Sequence, residues 1–308
     1  MEKAIYTIVD LRDWGAATAG CEPPLRLAVI GDPVAHSKSP QMHNAALSAL
    51  GIPVRYTRLH ILAGEVRECL ALLPKAGFIG INCTIPHKAE VLAGVAQADV
   101  IAKRAGGVNT VRVEQDGTLT GTSTDGPGFA RAVREEFGAE LSDLRVMVLG
   151  AGGGAGRAIA MQCASAGCPS LMLVNRSLEK LEPLLDEIAA FYQQERIAAG
   201  DFAEVFLRAG LRTSDLVVNC TSLGMKAGDA SPIAATHIED RHLIYDTIYV
   251  AHRTPLLRAG DEAGARGANG LSMLLHQGVL SFERWFGLTP PVDVMRAVLA
   301  APGAHLSF

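Results

Sequence analysis

Short apolar runs rich in Val, Ile and Leu recur along this chain, each followed by a longer segment of mixed polarity. The runs at 25–30, 54–61, 80–84, 145–149, 170–174, 215–220 and 242–248 predict strands, and the mostly apolar 145–149 suits a strand buried in a parallel sheet. The segments between them are punctuated as helices. Pro40 and Gly51 bound one, with Ser39 as its cap; a second covers 65–73 and stops at Pro74; a third covers 90–105. Further helices are expected from Pro127 to near Gly138, over 157–166, from Thr254 to about Ala263, over 270–286, and after Pro291. At 106–129 the rhythm changes. Asp116-Gly117 between two short runs predicts a hairpin, and a polar loop follows. The opening IYTIVDLRDW reads as a strand in an extension over 1–24. Strands alternating with helices make the chain α/β, and 308 residues suffice for two domains.

The stretch 144–160, LRVMVLGAGGGAGRAIA, organises the second half. A buried strand runs into Gly150, Gly152 and Ala155, the spacing G-x-G-x-x-G/A, and a helix follows. The first glycine permits the tight turn, the second lets a pyrophosphate reach the backbone, and the small third residue lets helix and strand pack closely. Amides at the helix start then face the phosphate. The next strand ends in Asn175-Arg176-Ser177, where a free ribose 2′-hydroxyl is usually met by Asp or Glu. Asn175 and Arg176, with Lys180 a turn later, suit a 2′-phosphate instead, so NADP is the expected cofactor.

Composition narrows the function. Net charge near −4 without a basic cluster argues against nucleic acid as a partner. Six scattered cysteines with no C-x-x-C pair predict reduced thiols, and no metal constellation occurs. With no apolar signal core and no run of membrane-spanning length, a cytoplasmic setting with no membrane partner is expected.

Several polar residues fall where strands end, which is where α/β sheets hold ligands. On local chemistry Ser39 reads as a cap and Ser37 as a turn residue, with ligand binding as the alternative. Lys88 lies just beyond the strand that Pro86 stops, and Asn82 and Thr84 alternate along that strand with apolar partners. Asn109 opens the hairpin's first strand and Asp125 follows its second. Tyr249 ends the last clear strand, and Gln277 sits mid-helix.

Taken together, GDPVAHSKSP, GINCTIPHK, GGVNTV, STDGPGF, GAGGGAG, NRS, NCTSLGM and GLSMLLHQG resemble the motifs of the shikimate dehydrogenases in order and spacing, over roughly residues 25 to 300. The resemblance implies a substrate-binding domain over 25–125, a Rossmann NADP-binding domain over 126–268, and C-terminal helices over 269–308 returning to the first. It implies NADP-dependent reduction of 3-dehydroshikimate to shikimate by a monomer or homodimer. It places Ser37 and Ser39 on the substrate carboxylate, Thr84 near the ring hydroxyls, and Lys88 at the reacting oxygen. Asn109 and Asp125 fall on the hydroxyls beside Lys88, and Tyr249 and Gln277 line the site. Gly150, Gly152, Gly153 and Ala155 face the pyrophosphate; Asn175, Arg176, Ser177 and Lys180 face the adenosine phosphate. Ser123 stands where the family more often has Asn, and Lys180 where NADP-dependent members often carry a second arginine. Two alternatives remain: a quinate/shikimate dehydrogenase using NAD(P), and a non-catalytic relative that binds dinucleotide or metabolite.

Overall fold

The computed structural model describes residues 3–301, so 302–308 of the expected C-terminal segment lie outside the described residues. Contacts divide the chain into two compact units, one of the residues up to Thr124 and from Gln277 onward, the other of Asp125–His276.

The first unit opens differently from expectation. Only Tyr6–Thr7 is a strand, β1; helices α1 (Ile8–Arg12) and α2 (Trp14–Ala17) follow. Side-chain caps override the strand tendency of the β-branched run. Asp10 accepts from the Thr7 amide at 2.9 Å, and Asp13 from the Ala16 amide at 3.2 Å. Then come β2 (Leu25–Gly31), α3 (Ser39–Ala49), β3 (Arg55–His60), α4 (Val66–Leu72) and β4 (Gly80–Cys83). Lys38, not Ser39, occupies the cap of α3, and its side chain makes no capping bond. The helix expected over 90–105 is broken into α5 (Lys88–Gly94), β5 (Gln97–Ala98) and α6 (Val100–Ala105). The cause is local: the Ala96 and Asp99 amides bond Leu119 and Gly121, while the Asp99 carboxylate starts a new helix by accepting from Ala102. The hairpin is β6 (Thr110–Val113) and β7 (Leu119–Thr122), with Gly117 at φ +84° in its turn. The sheet order is β1-β3-β2-β4-β6-β7-β5, parallel from β1 to β4 and antiparallel through the hairpin. Tyr6, Leu11 and Trp14 of the extension are buried in the same core as Leu25, Ile30, Leu59 and Ile81.

The second unit runs α7 (Asp125–Phe137), β8 (Val146–Leu149), α8 (Gly154–Ser165), β9 (Leu171–Val174), α9 (Glu182–Ala189), β10 (Ile197–Gly200), α10 (Glu204–Thr213), β11 (Leu216–Asn219), β12 (Leu243–Asp246), α11 (Pro255–Glu262) and β13 (Arg266–Asn269). Its strands are all parallel in the order β10-β9-β8-β11-β12-β13. In sequence rank that is 3-2-1-4-5-6, the doubly wound order whose ligand crevice opens at the carboxyl ends of the two central strands. Strand β8 explains its own apolar run. Val146 and Val148 enter the core on one face, and Met147 and Leu149 enter the core on the other.

The chain closes with α12 (Leu271–Phe286) and α13 (Val292–Ala300). Within the first unit α13 packs along α3. Gly278 lets α12 approach α3, because a Cβ there would meet Met42 Cε at 2.2 Å. Beside it His43 is fully buried, its ring stacked on Tyr56 at 4.7 Å and flanked by Phe282 and Trp285. Burial pushes the His43 imidazole down to about 3. The native state therefore refuses a proton that the unfolded chain takes up below about pH 6.5. Stability is complete above that value and falls as the pH drops toward 3. Between pH 7 and 5 the loss is about 2 kcal/mol. Urea midpoints at the two pH values should reveal it, and His43→Phe should flatten the dependence. An equal drop in the variant would place the acid sensitivity elsewhere.

Candidate active site

In the first unit, three chain segments gather at the carboxyl ends of β2, β4 and the hairpin. The loop after β2 carries Ser37, half-buried, and Ser39, 6% exposed at the first turn of α3. The Ser37 hydroxyl accepts from the Ser39 amide at 3.3 Å, so the two serines shape one short loop. Tyr56 stands behind Ser39, and burial holds its phenol well above the usual range.

Strand β4 delivers Thr84 and Lys88. Thr84 is half-buried, and its amide bonds the Ile30 carbonyl at 2.9 Å. Gly31 makes room for it, since a Cβ there would lie 2.5 Å from Thr84 Cγ2. Lys88, half-buried, opens α5, and two contacts pin its backbone. The buried His87 ring bonds the Ile61 carbonyl at 2.7 Å, and the Lys88 carbonyl accepts from the Val108 amide at 3.0 Å. Gly107 must stay a glycine for the same reason: its Cβ would sit 2.9 Å from Lys88 Cβ.

Asn109 is deeply buried, and its carboxamide is bonded within the protein. Its Oδ1 accepts from the Thr124 amide at 2.8 Å, and its Nδ2 donates to the Thr124 hydroxyl at 2.9 Å. Asn82 joins the same network, donating to Ser281 of α12 at 2.9 Å and accepting from Tyr56 at 2.9 Å. This network fixes Thr124, the residue before Asp125. Asp125 itself is the first residue of α7, not a turn residue ahead of it, and is 7% exposed. Gln277 is half-buried on α12, its carbonyl accepting from the Ser281 hydroxyl at 2.9 Å.

In the second unit the glycine loop joins β8 to α8. Gly150 takes φ +83°, and a Cβ on it would strike Cys220 and Thr221 of the neighbouring β11 loop at 3.0 Å. Gly152 lies against Asn175 and Lys180, with only 2.8 Å for a Cβ. Gly153 caps α8, whose first residue is Gly154, and both are exposed. The close packing expected of Ala155 belongs instead to Gly156, where a Cβ would come within 2.2 Å of the Gly150 carbonyl. Asn175 bridges the loop to the next turn: it accepts from the Gly152 amide at 3.2 Å and donates to the Ser177 carbonyl at 2.8 Å. Arg176 and Lys180 are exposed at that turn. A side-chain-free cradle at a helix start, with two cations at the β9 end, fits a dinucleotide carrying an extra phosphate. Among the described residues no cluster of three metal-ligating side chains exists.

The loops after β11 and β12 are tied by one carboxylate. Asp246 is fully buried; its Oδ1 accepts from Asn219 at 3.0 Å and the Ile248 amide at 3.2 Å, and its Oδ2 from the Thr254 hydroxyl at 2.6 Å. Burial raises its pKa against these bonds. The loop thus held carries Tyr249, half-buried.

Residues 29–111 match the shikimate dehydrogenase substrate binding domain, and 270–300 match the shikimate 5′-dehydrogenase C-terminal domain. The NADP(+)-dependent shikimate dehydrogenase of Symbiobacterium thermophilum is 40% identical over 278 residues, 89% of this chain and 94% of that one. The chain belongs to the shikimate dehydrogenase family. Among solved family structures, the Thermus thermophilus shikimate 5-dehydrogenase in complex with NADP(H) and shikimate superposes with a TM-score of 0.79 at 34% identity, covering 89% of this chain and 98% of that one. The family's fold is broader than one substrate: a quinate dehydrogenase from Corynebacterium glutamicum in complex with NAD gives 0.81 at 28% identity, covering 90% and 98%.

Proposed function

We propose that this family member catalyses the reversible NADP-dependent reduction of 3-dehydroshikimate to shikimate. The observation that carries the reading is the 40% identity to an NADP(+)-dependent shikimate dehydrogenase along nearly the whole of both chains. When bound, NADPH supplies a hydride to the carbonyl carbon. The chain's own task is to hold the substrate and neutralise the charge that develops on the carbonyl oxygen. Lys88 is assigned to that oxygen: its ammonium donates a proton as the C–O double bond becomes an alcohol. In the oxidation direction the neutral amine takes the proton back. Asp125 is assigned to orient the ammonium and a ring hydroxyl; Thr84 and Asn109 are assigned to the substrate hydroxyls, and Gln277 and Tyr249 to the lining of the site. Gly150, Gly152 and Gly153 support the pyrophosphate, and Asn175, Arg176, Ser177 and Lys180 the adenosine phosphate. Absorbance at the NADPH band with shikimate or quinate, each with NADP and NAD, tests the reading. Shikimate with NADP should give the highest kcat/KM. Faster turnover of quinate with NAD would assign the chain to the quinate branch.

Ser37 and Ser39 are assigned to the substrate carboxylate. Ser37→Ala should raise KM for shikimate more than it lowers kcat, because this contact is made equally in ground and transition states. A sharp fall in kcat with KM unchanged would remove the carboxylate from this loop.

A further inference from the structure

A neutral pair of hydroxyls is a weak trap for an anion, since hydrogen bonds to ionised groups gain most when charge lies on both sides. The charge is supplied from β3. Arg58 lies beneath the Ser37–Ser39 loop, half-buried, with Val29 of β2 as its register partner. Its Nη2 donates to the Ser37 carbonyl at 2.6 Å and to the neutral amide oxygen of Gln41 at 3.1 Å. Its Nε is buried and meets no hydrogen-bond acceptor among the described residues. No described carboxylate pairs with it, and its one charged influence is the Tyr56 phenol. Burial lowers the pKa of Arg58, and Lys38 in the same loop is buried and lowered for the same reason. Arginine stays charged regardless, so the unit keeps a desolvated cation without an internal counter-charge. That arrangement costs stability unless an anion arrives from outside.

We propose that Arg58 is the positioning residue and fixed charge that draws the substrate's carboxylate into the Ser37–Ser39 loop. The proposal rests on the assignment of that loop to the carboxylate. Arg58 acts in two ways. It fixes the Ser37 peptide, whose carbonyl turns toward the guanidinium and whose trans geometry turns the Lys38 N–H away from it. It also adds a positive potential behind two hydroxyls that have none. Arg58 touches the loop, and the loop touches the ligand.

The test compares shikimate with its methyl ester, which keeps the ring and loses the charge. Arg58→Met should raise KM for shikimate on the order of ten-fold while lowering kcat less, with KM for NADP unchanged. KM for the ester should rise clearly less than KM for the acid, because the ester loses only the positioning of the Ser37 peptide and not the charge attraction. Arg58→Lys should recover part of the loss, and added salt should weaken shikimate binding more in the parent than in Arg58→Met. Equal losses on acid and ester would make Arg58 purely structural, and an unchanged KM for shikimate would overturn the proposal. Ser37→Ala run in parallel separates the two assignments. If it raises KM while Arg58→Met does not, Arg58 alone fails; if neither raises KM, the loop does not hold the carboxylate.

Discussion

Lys88→Ala is expected to lower kcat by at least about 100-fold, the lower end of what a general acid–base group supplies. KM for shikimate should change only modestly. The expectation follows from where the charge appears. Hydride arrival puts a negative charge on the carbonyl oxygen in the transition state alone, so the ammonium's contribution falls on kcat. The lysine backbone is fixed by the His87 and Val108 contacts and walled by Gly107, so the truncation should leave α5 in place. Asp125→Asn should also lower kcat. If the two groups serve one proton transfer, the double variant loses less than the product of the single losses. Steady-state rates of the four proteins decide it. Fully multiplicative losses would give the groups separate tasks, and near-normal turnover by Lys88→Ala would remove lysine from the chemistry.

Arg176→Asp is expected to lower kcat/KM with NADP by about 100-fold while NAD use holds or improves. The guanidinium is exposed at the end of β9, beside the Asn175 bridge that shapes the glycine loop. A carboxylate there repels a 2′-phosphate and accepts from a 2′-hydroxyl. Kinetics with both cofactors separate this from damage, because a distorted loop would cost both equally.

The doubly wound unit was legible because its central strands are buried on both faces and so read as unbroken apolar runs. Its outer strands were not. β10 and β13 are edge strands, only partly buried, and Ile197–Gly200 and Arg266–Asn269 carry no such run. The extension reads as a strand because IYTIV is β-branched and apolar, while the residues that decide its conformation are the caps at Asp10 and Asp13. At the site, residue types that sit at strand ends pointed to a ligand. Residues that act through them did not. Arg58 reads in sequence as one more polar position on an alternating strand, and Gly156 as one more glycine in a rich loop. Their roles come from proximity: a carbonyl at 2.6 Å in one case, a missing Cβ at 2.2 Å in the other.

The first unit is built from chain on both sides of the second. A ribosome therefore finishes all of 125–276 before releasing the segment that seats against Met42 and His43 of α3. Until α12 and α13 emerge, that face of the nascent domain has nothing to cover it, while the intervening unit already has every strand it needs. Co-translational order is thus reversed relative to sequence order, with the middle of the chain maturing first and the beginning last. Released chains truncated near residue 276 should yield a protease-resistant core from 125 onward and an N-terminal part that holdase chaperones still grip.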